Sequence, residues 1–565
     1  MKLTLLFCCL AGILTSAAAG ASVDAPVGAG DKPNIVVILV DDMGFSDLSR
    51  YGSEIPTPNI DALADNGMAF SQFYNTARCS TTRAALLTGM YPHKAGMGYL
   101  SGFKREGSRG TLSRLHNRAV TAADVLKEAG YFTAMTGKWH LGHPETPPHK
   151  RGFMASLALA AGGIYYPDQI PFKPSQKHET PLFLNGEKLS LNDKRVSDEY
   201  WYGTDLWTDW GIKFIEQAGA QNKPFFLYLA HVAPHFPVMA PEATVNKYRG
   251  SYMSGWSAMR RVRYKHQLES GLIKPEWALT ELSSDIPDWE SLSQRDKVRF
   301  DHMMAVYAAS IEHVDKSVGR LTDYLKQSGQ LNNTLILFMS DNGASAESGP
   351  NGESFGNPLG GPDSRLVMGQ SWAALSNTPF KLYKHFTTEG GIATPLIAHW
   401  PKGISARGAN TFDRTPSHVV DILPTLIDIS GATYPDQYRN TDILPMNGES
   451  LTPLFGGNRF ERKEPIFFEH EGNRAVRDGK WKLVSRLQGP WKLYDMQADR
   501  TETTDLFARH ADIAQKMIQQ YEQWAQRDLV DQWIGPARPD AGGFWLQNER
   551  RYDYPATAAD KAGTD

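Results

Sequence analysis

Four uninterrupted apolar runs constrain this chain more than any other feature of its sequence. NIVVILV (34–40), YFTAMTGK (131–138), PFFLYLA (224–230) and TLILFMS (334–340) are rich in β-branched and aromatic residues. They are apolar at nearly every position rather than at alternate ones. Strands of that kind are buried on both faces, which calls for a sheet covered by helices on each side. Each run also leads into polar residues: Asp41 and Asp42, Lys138 and His140, His231 and His235, Asp341 and Asn342. In α/β proteins the C-terminal ends of such strands border the crevice where ligands bind. One such ending is unremarkable; four of them argue for a single assembled site.

Helical patterns lie between the runs, in TPNIDALADNGMAF, TAADVLKEAG and the long RFDHMMAVYAASIEHVDKSVGRLTDYLKQSG, which closes on glycine. HVVDILPTLIDISG reads as a further helix interrupted at Pro424. This alternation indicates the α/β class. Beyond GGNRFERKEP, read as a linker, strand-like IFFEHEGNRAVRDGKWKLV and WKLYDM precede a helix around DIAQKMIQQYEQWAQR. The expected division is a signal peptide over 1–21, a catalytic domain over 31–455, a small sheet-and-helix domain over 460–552 and a disordered tail over 553–565.

The signal peptide rests on Lys2, the short apolar stretch from Leu3 to Leu14 and the small residues Ala17 to Ala21. It predicts export to the periplasm or outside a bacterial cell. No later stretch is long and apolar enough to span a membrane. A net charge of −3 and a pI of about 6.6 exclude the strong basic field of a nucleic-acid partner. Of the three cysteines, Cys8 and Cys9 leave with the signal and Cys79 remains. A lone cysteine in an exported chain is a buried bystander, an intermolecular link or a functional group.

Its neighbours bear on the choice. Ser80, Thr81 and Thr82 are helix-capping types, and Arg83 to Leu87 are helix formers that stop at Gly89. Cys79 therefore stands at a helix N-terminus, where free N–H groups favour an anion. Arg83, one turn on, offers a fork that can hold two oxygens. The alternative is a core cysteine beside a helix cap. Separately, Asp41, Asp42, Asp341 and Asn342 offer only oxygen ligands, which selects a hard cation, Ca²⁺ before Mg²⁺, and argues against zinc.

CSTTRAALLTG resembles the type I sulfatase signature, Cys-x-Pro-x-Arg followed by Leu-Thr-Gly, with Thr81 in the place of the usual proline. VDDMGFSD, GKWHLG, APHFP, SDNGA and LYKHFTTEGG are similar to the family's other blocks, in family order, and the bacterial arylsulfatases are the nearest group. The resemblance implies an alkaline-phosphatase-like α/β/α sandwich with a large mixed sheet and a small C-terminal α+β domain. It implies that a maturation enzyme oxidises Cys79 to Cα-formylglycine, whose hydrate attacks sulfur. Carried over by motif, the metal ligands are Asp41, Asp42, Asp341, Asn342 and the modified Cys79, and Asp341 is a candidate base activating the diol. Arg83 orients the diol. Lys138 and His140 touch diol and sulfate, with His140 the base that releases sulfate. His235 donates a proton to the leaving oxygen, and Lys384 holds a sulfate oxygen, favoured over Lys381 by its spacing to Glu389. His93, His231 and His385 are read as structural or supporting.

The implied function is sulfuric ester hydrolysis of a sulfated small molecule or carbohydrate. The alternatives are a phosphonate or phosphate monoester hydrolase of the same superfamily, or a non-catalytic sulfated-glycan-binding protein if Cys79 stays a thiol. Phosphatases of this fold commonly use His-rich two-metal sites, which the oxygen-only set disfavours. His470, Asn473 and Arg474 are candidate substrate-binding residues on a strand that could border the cleft. Arg260, Arg261 and Arg263 read as a solvated helix face or as a further anion contact.

Overall fold

The computed structural model describes residues 32–171, 181–405 and 411–533. The expected signal peptide and C-terminal tail lie outside them. Ten strands form one sheet: β1 (Asn34–Val40), β2 (Met68–Phe70), β3 (Phe132–Lys138), β4 (Ala155–Leu159), β5 (Leu182–Leu184), β6 (Glu187–Leu189), β7 (Phe225–Ala230), β8 (Thr334–Ser340), β9 (Leu396–His399) and β10 (Phe412–Asp413). Their order across the sheet is β10-β2-β9-β8-β1-β7-β3-β4-β5-β6. The four apolar runs are the adjacent strands β8, β1, β7 and β3, all parallel. Strands β9, β5 and β6 pair antiparallel at the flanks, so the sheet is mixed. Register brings the strand ends level: Val40 faces Ser340, Leu39 faces Ala230, and Gly137 faces Ala230.

The continuous hydrophobicity of β1 has the expected cause. Val36, Ile38 and Val40 belong to the core on one face, and Ile35, Val37 and Leu39 to the core on the other. Both faces are covered by helices. The helix α1 (Cys79–Thr88), with α4 (Ile422–Ser430) and α5 (Ala511–Arg527), lies on the second face, and α2 (Gly203–Ala220) and the 34-residue α3 (Gln294–Gln327) lie on the first. Ser293 caps α3 by accepting from the Asp296 amide at 3.1 Å. Pro424 does not interrupt a helix as expected. It lies in the first turn of α4, where a missing N–H costs nothing, and Gly431 at φ +65° ends the helix.

A second, antiparallel sheet consists of β11 (Ile466–His470), β12 (Asn473–Asp478), β13 (Trp481–Ser485) and β14 (Lys492–Asp495). Its apolar side chains continue the main cores rather than forming their own: Phe467, Val476 and Leu483 join the α1 face with Trp524 of α5. Among the described residues no helix is long and apolar enough to cross a membrane.

Candidate active site

The site begins where β1 and β8 end side by side. Asp41 and Asp42 follow β1, Asp341 and Asn342 follow β8, and all four are buried. The Asp42 amide donates to Asp341 Oδ1 at 3.2 Å, and the Asn342 amide nitrogen donates to Asp42 Oδ1 at 2.6 Å. Asp42 takes φ +68°, a costly conformation for an aspartate, held here by its neighbours. Asp41 Oδ1 and Asn342 Oδ1 are buried without a hydrogen-bond partner among the described residues. Orphaned oxygens aimed into an acidic pocket fit a hard cation.

Three buried cations face these acids. Arg83 reaches from α1, placing Nη2 2.9 Å from Asp341 Oδ2 and 3.3 Å from Asp41 Oδ2, while its Nη1 donates to the Lys138 carbonyl at 2.7 Å. Lys138 Nζ, at the end of β3, is 2.6 Å from Asp41 Oδ2. Lys384 Nζ is 2.8 Å from Asp42 Oδ1. Burial opposes ionisation of Asp41, yet Lys138, His235 and Arg83 hold its carboxyl well below the usual range. Asp341 goes the other way: burial and then the Asp41 charge push it up to about 7. Burial works against the Lys384 ammonium, but Asp42 and Glu347 more than compensate and raise its pKa.

Cys79 is the first residue of α1, and its Sγ lies 3.3 Å from His140 Nδ1. Burial pushes the thiol up, with Lys138 and Lys384 pulling against it. Thr81 spends its hydroxyl on the cap: it donates to the Arg78 carbonyl at 2.9 Å and accepts from the Thr76 hydroxyl at 2.7 Å. His140 stands at φ +59°, turned back from β3 toward Cys79. Burial, then Lys138 and Arg83, hold its imidazole well below the ordinary pKa. His235, in the loop after β7, puts Nε2 3.7 Å from Asp42 Oδ2 and donates from Nδ1 to the Phe236 carbonyl at 2.5 Å. Burial and Lys138 lower its pKa to about 4.

These groups open into one cleft of about 530 Å³, lined by Arg78, Cys79, Lys138, His140, His235 and Lys384 on its charged side. Ile164, Ile170, Leu191 and Phe236 line the apolar side. The seven candidate catalytic residues and the oxygen ligands thus converge from four strand ends, α1 and the 381–389 loop. Lys381 is separated from them: its ammonium donates to the Glu502 carbonyl and lies over the Tyr494 ring.

The structure does not bring His470, Asn473 and Arg474 to the cleft wall. His470 is fully buried and its ring stacks on Tyr99 at 5.6 Å. Asn473 uses its amide on the His385 and His470 carbonyls, at 3.3 and 3.0 Å. Arg474 lies over the Trp491 ring at 4.5 Å and donates to Ser485 Oγ at 2.9 Å, on the far side of the small sheet. His470 ends β11 opposite Asn473, the first residue of β12, and strand alternation turns the next residue, Arg474, to the other face, so the three could not share one wall. Arg260 and Arg263 turn into the protein rather than to solvent. Arg260 donates to the Thr280 carbonyl at 2.8 Å, and Arg263 pairs with Asp47 at 2.8 Å and Glu54 at 2.9 Å. Two charged cleft residues went unread in the sequence, Arg78 and Glu347. Arg78 adjoins Cys79 and could have been suspected; Glu347 lies in a glycine- and serine-rich loop with no motif to mark it.

Comparison with known proteins agrees with this geometry. The Sulfatase family model matches residues 33–432, and a model described as N-sulphoglucosamine sulphohydrolase, C-terminal, matches residues 380–527. An arylsulfatase of Klebsiella aerogenes is 35% identical over 439 residues, covering 75% of this chain and 92% of that protein. An uncharacterized sulfatase of Schizosaccharomyces pombe is 34% identical over 527 residues, covering 86% and 92%. The crystal structure of Ps i-CgsB in complex with k-i-k-neocarrahexaose superposes with a TM-score of 0.65 at 28% identity, covering 88% of this chain and 93% of that one. With a charged cleft at the C-terminal ends of a mixed, helix-covered sheet and these relatives over most of its length, the chain belongs to the sulfatase family and is a sulfuric ester hydrolase of alkaline-phosphatase-like α/β fold.

Proposed function

We propose that the protein cleaves sulfate esters of aryl or carbohydrate alcohols through a formylglycine hydrate made from Cys79, beside a Ca²⁺ ion, after export from a bacterial cell. The observation that carries this reading is the position of Cys79. It opens α1 inside the cleft, 3.3 Å from His140 and within the same charge cluster as Asp41, Asp341, Lys138 and Lys384. In the working enzyme the two hydrate oxygens take the place of Sγ. Asp41, Asp42, Asp341 and Asn342 would hold the cation, which supplies positive charge to the nucleophile and the transferring group.

The chain's own residues divide the remaining work. Asp341 accepts the proton of the attacking hydroxyl while Arg83, 2.9 Å away, holds the carboxylate in place. One hydrate oxygen bonds to sulfur and the ester S–O bond breaks, with Lys138 and Lys384 taking up charge on the sulfuryl oxygens. His235 donates its Nδ1 proton to Phe236, so only the doubly protonated ring can give a proton from Nε2 to the leaving oxygen. The negative charge of the bound sulfate ester and of Asp42, 3.7 Å from Nε2, stabilises that form. His140, held neutral, then removes the proton of the second hydroxyl; the C=O bond forms, the C–O bond to sulfate breaks, and water restores the hydrate.

The test joins mass spectrometry of the Cys79 peptide to kinetics on matched sulfate and phosphate monoesters. Formylglycine at Cys79 with preference for the sulfate ester is expected. Preference for the phosphate ester would establish the phosphohydrolase reading, and an intact thiol in active enzyme would overturn the mechanism. Cys79→Ser should accumulate sulfated enzyme without turnover, because serine lacks the second hydroxyl that ejects sulfate.

A further inference from the structure

The ladder between β1 and β8 stops just before the oxygen donors begin. Val40 and Ser340 are the last pair in register, and one more bond follows, from the Asp341 amide to the Val40 carbonyl at 3.1 Å. Beyond it Asp42 takes φ +68°, so strand pairing no longer fixes Asp42 relative to Asn342. The Ser340 hydroxyl crosses that gap. The Met43 amide donates to Ser340 Oγ at 3.1 Å, and Ser340 Oγ donates to the Asn342 carbonyl at 3.1 Å. A serine hydroxyl has one proton and two lone pairs, so both bonds form at once. Ser340, Met43 and Asn342 are fully buried, where neither bond is readily exchanged for one to solvent. Ser340 is itself held from the neighbouring segment: the Thr394 hydroxyl donates to its carbonyl at 3.2 Å, and the Asn75 amide nitrogen donates to Thr394 Oγ1 at 3.1 Å.

Two other bonds join the same turns, from the Asp42 amide to Asp341 Oδ1 and from the Asn342 amide nitrogen to Asp42 Oδ1. Both spend a carboxylate oxygen that a cation would claim. The Ser340 bonds hold backbone to backbone and spend none. We propose that Ser340 is a positioning residue for the cation: its hydroxyl sets the spacing of the Asp42 and Asn342 oxygens before the ion arrives. The inference rests on the reading of Asp42 and Asn342 as cation ligands. Without the hydroxyl the two turns lose their common anchor, and binding must itself order the ligands.

The experiment is a Ca²⁺ titration of the full-length matured protein, read by Kd and by thermal midpoint, beside kinetics on an aryl sulfate. Ser340→Ala removes both bonds. It should raise the Ca²⁺ Kd by roughly 10- to 100-fold, the usual range for a residue that orients metal ligands. The kcat/KM should fall at limiting Ca²⁺ and recover as Ca²⁺ is raised. The control is Thr133→Val, at the opposite end of β3 from Lys138. There a buried hydroxyl makes the same pair of bonds, accepting from the Met154 amide at 3.2 Å and donating to the Gly152 carbonyl at 2.7 Å. Thr133→Val should lower the midpoint equally with and without Ca²⁺ and keep the Kd within about twofold. An unchanged Kd in folded Ser340→Ala, or an equal weakening in Thr133→Val, overturns the proposal. If Ser340→Ala does not fold, Ser340→Cys, whose thiol makes both bonds weakly, is judged by the same comparison. A matured wild-type protein that binds no Ca²⁺ would instead defeat the cation reading beneath it.

Discussion

His235 carries a constraint that only its hydrogen bond reveals. A neutral ring with Nδ1–H on the Phe236 carbonyl has no proton to give from Nε2, so the doubly protonated form must be recruited by substrate. His235→Gln should therefore lower kcat/KM by about 10²- to 10³-fold for a carbohydrate sulfate, whose alcohol leaves poorly. An activated aryl sulfate should lose far less. Equal losses on both substrates would remove His235 from the proton-donating role. The residue type and its place after β7 were readable in APHFP, but its protonation demand was not, because it depends on a carbonyl that the loop turns back upon the ring. Lys384 and Lys381 make the same point. Spacing alone favoured Lys384; the loop's path separates them fully, sending one to Asp42 and the other to Glu502.

The elements that matter are the strand ends. Gly137 stands at φ +96° one residue before Lys138, and a Cβ there would sit 1.9 Å from the Ala230 carbonyl of β7. Gly137→Ala should cost more than about 2 kcal/mol and move Lys138 from Asp41, seen as a lower thermal midpoint together with a raised KM. An unchanged midpoint would mean the two strands yield where their pairing says they do not. The proposed oxygen ligands belong to the same scale, since two adjacent strands bring them together. Chelation should abolish turnover and lower the thermal midpoint, and Ca²⁺ should restore both better than Mg²⁺. Recovery by Zn²⁺ alone would contradict the donor set. Continuous apolar runs made these strands legible. Their order across the sheet was not, because parallel neighbours are joined through distant segments that leave no local signal.

At the scale of the molecule, the small sheet is bolted to the 381–389 loop by buried charge. Lys482 on β13 lies 2.7 Å from Glu389 and 2.8 Å from Glu502, and Arg500 Nε lies 2.8 Å from Glu389. These side chains are fully buried, so removing one leaves an opposite charge without compensation. Lys482→Met should destabilise by about 3–5 kcal/mol, while Lys482→Arg should be much milder. A methionine variant as stable as the parent, measured by thermal or denaturant unfolding, would show that the sheet is not held by this cluster. EGG in the sequence located Glu389 but gave no hint that its partners lie about a hundred residues on, at positions 482 and 500. The α/β class, the four strand ends, the helix that presents Cys79 and the oxygen donors that follow β1 and β8 were legible in the order of residues, because hydrophobic period and capping chemistry act over a few residues. Folding of distant segments against one another settles which of two lysines meets Asp42, that Arg474 faces away, and that Glu347, Arg78 and Glu471 stand around His385. Those outcomes depend on where separate segments are folded against one another, and burial then fixes their charges in ways no local pattern encodes.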